Sequence, residues 1–280
     1  MSTSFDPPVP ILRRLVEEAL AEDMGVLGDI TSIGCINEDQ TAVAMFVARE
    51  EGVFAGTAAA TEVFRQVDWS VTIDWQVRDG MSIEAGMELG QVHGTLRSIL
   101  AGERVALNFL CHLSGIASLT RRYVRAAHGK ARVRDTRKTL PGLRAVQKAA
   151  VRAGGGFNHR DSLSDAVLVK DNHLAALGLT RVVERERARW PGRIVEVECD
   201  SLDQVKEAKD AGVDVVLLDN MSPEDVQAAV EVLDGTTKVE VSGRVTLESI
   251  GAYANAGVDF IAVGALTHSA RSLDIGLDLP

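Results

Sequence analysis

The chain has 280 residues, 46% of them apolar and 25% charged, with a formal net charge of -10. This is the composition of a globular protein large enough for one α/β domain with a smaller companion. No apolar run approaches a membrane span, no basic-then-apolar leader opens the chain, and Cys35, Cys111 and Cys199 are an odd count with no CxxC spacing, which argues against a disulfide framework or a zinc site. A cytosolic chain with reduced thiols is the expectation.

The N-terminal "MSTSFDPPVP" reads as a loose tail. A helix is predicted from about Ile11 to Glu22, followed by "GDITS" at 28–32. Strand-like pieces come next, at 41–50, 51–56, 69–80 and 88–96, with helical stretches near 57–66 and 98–111. This mixture predicts an α+β region over residues 1–115. A boundary is expected at "HLSGIA" (112–117), with the second domain occupying 116–280.

From about residue 130 a rhythm sets in. "ARVRDT" (131–136), "AVLVKDNH" (166–173), "RIVEVECD" (193–200), "VDVVLLDN" (213–220), "KVEVSG" (238–243) and "VDFIAVGAL" (258–266) read as strands. Helical patterns at 143–154, 174–189, 201–212, 222–235 and 246–257 separate them. Ser222 before Pro223 is an N-cap signal, Ser201 is similar, and Gly212, Gly235 and Gly257 are C-terminal stops. Alternating strands and helices make parallel βαβ units.

The strands end in Lys170, Glu198, Asp219, Ser242 and Gly264, one βα unit apart. In an α/β barrel such ends converge on one mouth. A doubly wound sheet would also put ligands at strand ends, but without a ring of five. A salt bridge would satisfy Lys170, Glu198 and Asp219. So would a bound magnesium–phosphate group, with the carboxylates as hard oxygen ligands and the lysine on the anion. "VSG" (241–243) and "VGA" (263–265) offer free backbone N–H groups for phosphate.

Charge is concentrated at one place. Residues 121–170 hold thirteen Lys or Arg against three Asp, a balance of +10, and the rest of the chain balances at -20. That pattern opposes nucleic acid as the main partner, because backbone binding needs a broad basic face. A compact basic cluster suits a small, multiply charged anion. Arg121, Arg122 and Arg125 are expected to lie on a solvated helix face. The core of the cluster is "RDTRKTLPGLR" (134–144), and "GGGFNHR" (154–160) should reach the same mouth.

These segments, with "VEVE", "LLDN", "VSG" and "VGALTHS" in order and "GDITS" and "ERVALNFLCHLSGIA" before them, closely resemble the quinolinate phosphoribosyltransferase family over about residues 12–278. The resemblance implies an incomplete, open α/β barrel beside an N-terminal α+β domain, to which the C-terminal tail could return. It implies transfer of phosphoribose to quinolinate with loss of carbon dioxide, magnesium as cofactor, and a homodimer in which Arg104 reaches the neighbouring subunit's pocket. The implied quinolinate-binding residues are Arg137, His159 and Arg160, with Thr136 among the substrate-binding residues and Lys138 and Lys170 near the carboxylates and the phosphoribosyl group. Glu198 and Asp219 would face ribose and magnesium, and Lys138, Lys170, Glu198 and Asp219 would form the catalytic set. Ser242, Gly243 and Arg244, with Gly264, Ala265 and Leu266, would form phosphate turns. Arg244 departs from the family's usual asparagine or glycine. A nicotinate phosphoribosyltransferase, a molybdenum-transport relative and a non-catalytic phosphate-binding barrel are the alternatives. A dicarboxylate needs the larger arginine set that is present here.

Overall fold

A computed structural model describes residues 5–174 and 177–279. The elements in chain order are α1 (Val9–Met24), α2 (Ile30–Cys35), β1 (Thr41–Ala48), β2 (Gly52–Val53), α3 (Thr57–Val67), β3 (Thr72–Trp75), β4 (Ser82–Ile83), β5 (Glu88–Thr95) and α4 (Leu96–Ala126). Then come β6 (Arg132–Arg134), α5 (Arg144–Ala153), β7 (Val167–Val169), α6 (Asp171–Leu174), α7 (Leu179–Arg189), β8 (Val195–Cys199), α8 (Leu202–Asp210) and β9 (Val215–Asp219). The chain closes with α9 (Pro223–Leu233), β10 (Lys238–Ser242), α10 (Ile250–Asn255), β11 (Phe260–Ala262), α11 (Ala265–His268) and β12 (Ile275–Asp278). No helix among the described residues is long and apolar enough to cross a membrane.

The chain forms two compact units. The first gathers residues 1–121, 139–155 and 265–280. Its antiparallel sheet has the order β12-β1-β5-β3, with β2 and β4 paired separately. β1 buries Ala44, Phe46 and Ala48 on alternate positions, as the period of a half-covered strand requires. Phe46 stacks on Trp75 with ring centroids 5.0 Å apart, and Phe64 meets Phe46 edge-on at 6.3 Å. Fully buried aromatic side chains of this kind contribute about 1.5–3 kcal/mol each. The C-terminal strand β12 pairs with β1, matching Met45 to Asp278 and Ala48 to Ile275.

The second unit holds residues 122–138 and 156–264. Its six parallel strands run in the order β6-β11-β10-β9-β8-β7. That is the cyclic order of a barrel cut between β6 and β7, so the α/β sheet is open. Val195, Val197 and Cys199 alternate with Glu196 and Glu198 along β8, and Val239 and Val241 alternate with Glu240 and Ser242 along β10. One face of each strand is therefore aliphatic and the other carries the acids.

Several local expectations change. "HLSGIA" is the interior of α4, a continuous 31-residue helix. A Cβ on Gly115 would lie 2.1 Å from the Arg271 carbonyl oxygen, so that glycine serves a close backbone approach and not a break. Val9 and Pro10 are helical rather than loose, while residues 1–4 of the expected tail lie outside the described residues. The helix expected at 174–189 is α6 and α7 instead, and its residues 175–176 lie outside the described residues. Ser222 caps α9 through the Asp225 N–H, but Ser201 makes no side-chain cap to α8. Arg121 is not a solvated helix charge, because its Nε donates to the Gly154 carbonyl at 2.9 Å. Arg122 and Arg125 are exposed as expected.

Candidate active site

Parallel strands place all their C-terminal ends on one edge of the second unit. There Lys170 Nζ donates to Glu198 Oε2, so the salt-bridge arrangement exists between two of the five strand ends. Asp219 closes β9 and accepts from Asn220 Nδ2 at 2.7 Å. The turns after β9 and β10 interlock, since Asn220 N–H donates to the Ser242 carbonyl at 3.0 Å. A Cβ on Gly243 would meet Asn220 Oδ1 at 2.4 Å, and its φ of 100° is glycine's own territory. Arg244 follows with φ 48°, left-handed and exposed.

The basic loop is built on β6. Phe157 N–H donates to Val133 O at 2.8 Å and Asp135 N–H to Phe157 O at 3.1 Å, which zips "FNHR" alongside the strand. Fully buried Asp135 then accepts from His159 N–H at 2.9 Å and Asn158 Nδ2 at 2.5 Å. The Thr136 hydroxyl accepts the Lys138 N–H at 3.0 Å and tightens the turn that carries Arg137. Arg160 Nη1 donates to the Ala166 carbonyl at 3.2 Å. Burial first, and the Arg137 charge second, lower the Arg160 pKa from its usual value. Two guanidinium groups crowded together in this way favour an anion between them.

Arg137, Arg160 and Lys170 line one open cavity of about 1160 Å³ with Leu168, His173 and Trp190. Of the residues expected at one mouth, the structure brings these three cations to a shared cavity. Arg185, Arg189 and Arg193 also line the cavity, and the sequence reading missed them because they sit on or just after α7 and not at a strand end. Glu198, Asp219 and Ser242 are not among its lining residues. Arg104, on the exposed surface of α4, and Ala265 and Leu266, which open α11, belong to the first unit. Leu266 is fully buried, so only its main chain is available to a ligand.

Beneath the strand ends lies a second polar group that the sequence reading also missed. Glu196 precedes Glu198 by two residues, and Glu240 precedes Ser242 by two, so each shares its neighbour's face. Both are buried. His159 Nε2 lies 3.1 Å from Glu196 Oε2 and 3.4 Å from Glu240 Oε1. Arg134 Nη1 holds Glu240 Oε2 at 2.5 Å, and its guanidinium lies over the Phe260 ring, 3.4 Å from the centroid. Burial, and then the Glu196 charge, push the Glu240 carboxyl up to about 7. For His159, burial is the largest single influence and pulls the pKa down. The Glu196 hydrogen bond and the charges of Glu240 and Glu196 outweigh it and leave the pKa raised. The available signal was the glutamates in "VEVE" and "KVEVS", alternating through runs that are otherwise aliphatic.

Comparison with known proteins adds the family context. Residues 29–114 match the model of the quinolinate phosphoribosyl transferase N-terminal domain, and residues 116–278 match that of its C-terminal domain. The chain is 44% identical to the nicotinate-nucleotide pyrophosphorylase (carboxylating) of Mycobacterium leprae, over 95% of this chain and 96% of that protein. It is 41% identical to the probable nicotinate-nucleotide pyrophosphorylase (carboxylating) of Bacillus subtilis, over 96% and 93%. Among solved structures, the nicotinate-nucleotide pyrophosphorylase from Francisella tularensis superposes with a TM-score of 0.95 at 41% identity, covering all of both chains.

Proposed function

We propose, on the premise that the chain belongs to the quinolinate phosphoribosyltransferase family, how its own residues carry that family's reaction. The enzyme transfers phosphoribose from phosphoribosyl pyrophosphate to quinolinate and releases pyrophosphate and carbon dioxide, giving nicotinate mononucleotide for NAD synthesis. The observation that carries the residue assignment is the convergence of Arg137, Arg160 and Lys170 on one cavity, in a chain whose net charge is -10. Quinolinate and phosphoribosyl pyrophosphate together bring many negative charges to a single place. Guanidinium forks bind planar carboxylates bidentately, and a lysine acts as a point charge.

Arg137 and Arg160 hold the pyridine dicarboxylate with its nitrogen facing ribose C1, which is a positioning contribution. The bond from C1 to pyrophosphate oxygen breaks as positive charge develops on the sugar. The pyridine nitrogen then supplies the electron pair for the new bond to C1. Lys138 and Lys170 stabilise the departing pyrophosphate. Glu198 and Asp219 sit on the ribose side and offset the developing positive charge. In the quaternised ring the bond to the 2-carboxylate breaks, its electron pair stays on the ring carbon, and that carbon takes a proton. The adjacent pyridinium charge stabilises that pair until water supplies the proton, so no dedicated base is needed.

The donor set at Glu198 and Asp219 is all oxygen, at the ends of neighbouring strands, which suits a hard cation. Magnesium held there would neutralise pyrophosphate charge. The turns at Ser242–Arg244 and Gly264–Leu266 are assigned to phosphate. Arg104, exposed on α4, is assigned to the pocket of a second subunit in a homodimer. The three free cysteines support a reducing, cytoplasmic location.

The test uses quinolinate labelled in its 2-carboxyl group, with phosphoribosyl pyrophosphate and magnesium. Labelled carbon dioxide should appear in step with nicotinate mononucleotide. Lys138→Ala should lower kcat by about 10²-fold or more while leaving the melting temperature unchanged, in line with the loss of one aimed charge. Near-native turnover in that variant would remove Lys138 from the chemistry.

A further inference from the structure

The buried acids below the mouth have no part in the proposed reaction, yet they surround a residue of the basic loop. Resting on the function proposed above, we propose that Arg134, Glu196 and Glu240 are positioning residues: they fix the imidazole of His159 as its Nε2–H form, and His159 in turn fixes Arg160 for the substrate's carboxylates.

The hydrogen-bond directions carry the argument. The Arg160 N–H donates to His159 Nδ1 at 2.7 Å. A ring nitrogen that accepts must hold a lone pair, so the ring proton belongs on Nε2. Nε2 lies beside two acceptors, Glu196 Oε2 at 3.1 Å and Glu240 Oε1 at 3.4 Å. Both nitrogens of the ring are thus engaged inside the protein, and the ring acts on the anion through Arg160. The far oxygen of Glu240 is held by Arg134 Nη1, so the acid cannot swing away from the ring. Asp135 anchors the His159 main chain at 2.9 Å. His159 is therefore held by its backbone and both ring nitrogens, and the next residue, Arg160, is one of the guanidinium groups that line the cavity. Groups that orient a site residue in this way change affinity about 10–100-fold when removed from comparable shells around metal ligands.

His159, Glu196 and Glu240 present ligand atoms within 4.8 Å of one another, which could suggest a metal site. The hydrogen-bond pattern rejects it. A cation on Nε2, with Nδ1 still accepting from Arg160, would require a doubly deprotonated ring. Arg134 also already compensates Glu240.

Two readouts test the proposal on the full chain. In ¹⁵N-histidine-labelled wild type at alkaline pH, where the imidazole is neutral, nitrogen–proton correlation spectra should show His159 as the Nε2–H tautomer with no substrate present. Glu240→Gln should raise KM for quinolinate about tenfold or more, with kcat and KM for phosphoribosyl pyrophosphate within about twofold. In a His159→Ala background, Glu240→Gln should add nothing further, because the two act as one unit. His159→Asn, whose side-chain oxygen can take the Arg160 N–H, should restore part of the affinity lost in His159→Ala. An Nδ1–H tautomer in the wild type would overturn the proposal. So would additive effects in the double variant, or equal changes in both KM values. Were Glu240→Gln not to fold, the wild-type tautomer would still decide. A wild type that leaves quinolinate unreacted yet shows the Nε2–H tautomer would remove the proposed reaction and not the positioning chain.

Discussion

At the scale of single residues, Arg244 and Glu240 each carry a conformational or electrostatic burden. Arg244 adopts φ 48°, where a side chain with a Cβ costs about 1–2 kcal/mol relative to the right-handed form and asparagine is better tolerated. Arg244→Asn is expected to raise stability by about 0.5–1 kcal/mol, read as a higher urea midpoint at unchanged slope. An unchanged or lower midpoint would mean that the guanidinium contributes more than the strain removes. Glu240, pushed up to about 7 from an ordinary 4.5, holds a proton in the folded chain that the unfolded chain has lost. Stability should therefore fall as pH rises from about 4.5 to about 7, and His159, raised above 6.5, continues the fall in the same direction. Glu240→Gln should flatten that slope in melting temperatures measured between pH 5 and pH 7.5. A difference from wild type that does not vary with pH would refute this. Lys170, Glu198 and Asp219 could be found from sequence because a polar residue ending an aliphatic run stands out. Glu196 and Glu240 lie within the run, and only the pleat, which brings every second residue onto one face, joins them to Arg134 and His159.

At the scale of elements, the capping chemistry separates two serines that look alike in sequence. Ser222 accepts the Asp225 N–H at 3.1 Å, with proline at the first helical position, whereas Ser201 makes no such bond and the Asp200 N–H goes to Gln204 Oε1 instead. Ser222→Ala should destabilise the chain by about 1 kcal/mol, and Ser201→Ala should fall within about 0.5 kcal/mol of wild type. Equal losses in chemical denaturation would show that the observed cap does not matter. The strands and most helices were legible because hydrophobic periodicity and glycine stops are local signals. The passage of α4 through "HLSGIA" was not. Gly115 lies inside the stretch expected as a boundary, and it serves the close approach of the Arg271 backbone, 156 residues away. Arg121 misled for a similar cause, since its carbonyl partners at Gly154 and Gly80 are distant in sequence.

At the scale of the whole molecule, two patterns were readable in advance. The βα rhythm implied a parallel sheet, and the strand order β6-β11-β10-β9-β8-β7 is that of a barrel with one seam left open. The seam itself carries no sequence signal, because it depends on β6 and β7 failing to meet. The charge asymmetry, +10 within fifty residues of an acidic chain, pointed to a small polyanion, and Arg137, Arg160 and Lys170 do converge on one cavity. The additional arginines of α7 were hidden in a helix whose charges look ordinary in sequence. Selection of a dicarboxylate by this basic cavity is the central proposal. The most direct test offers quinolinate and nicotinate in parallel, each with phosphoribosyl pyrophosphate and magnesium, and follows nicotinate mononucleotide. Product from quinolinate alone is the predicted result. Product from nicotinate alone would contradict the pocket assignment.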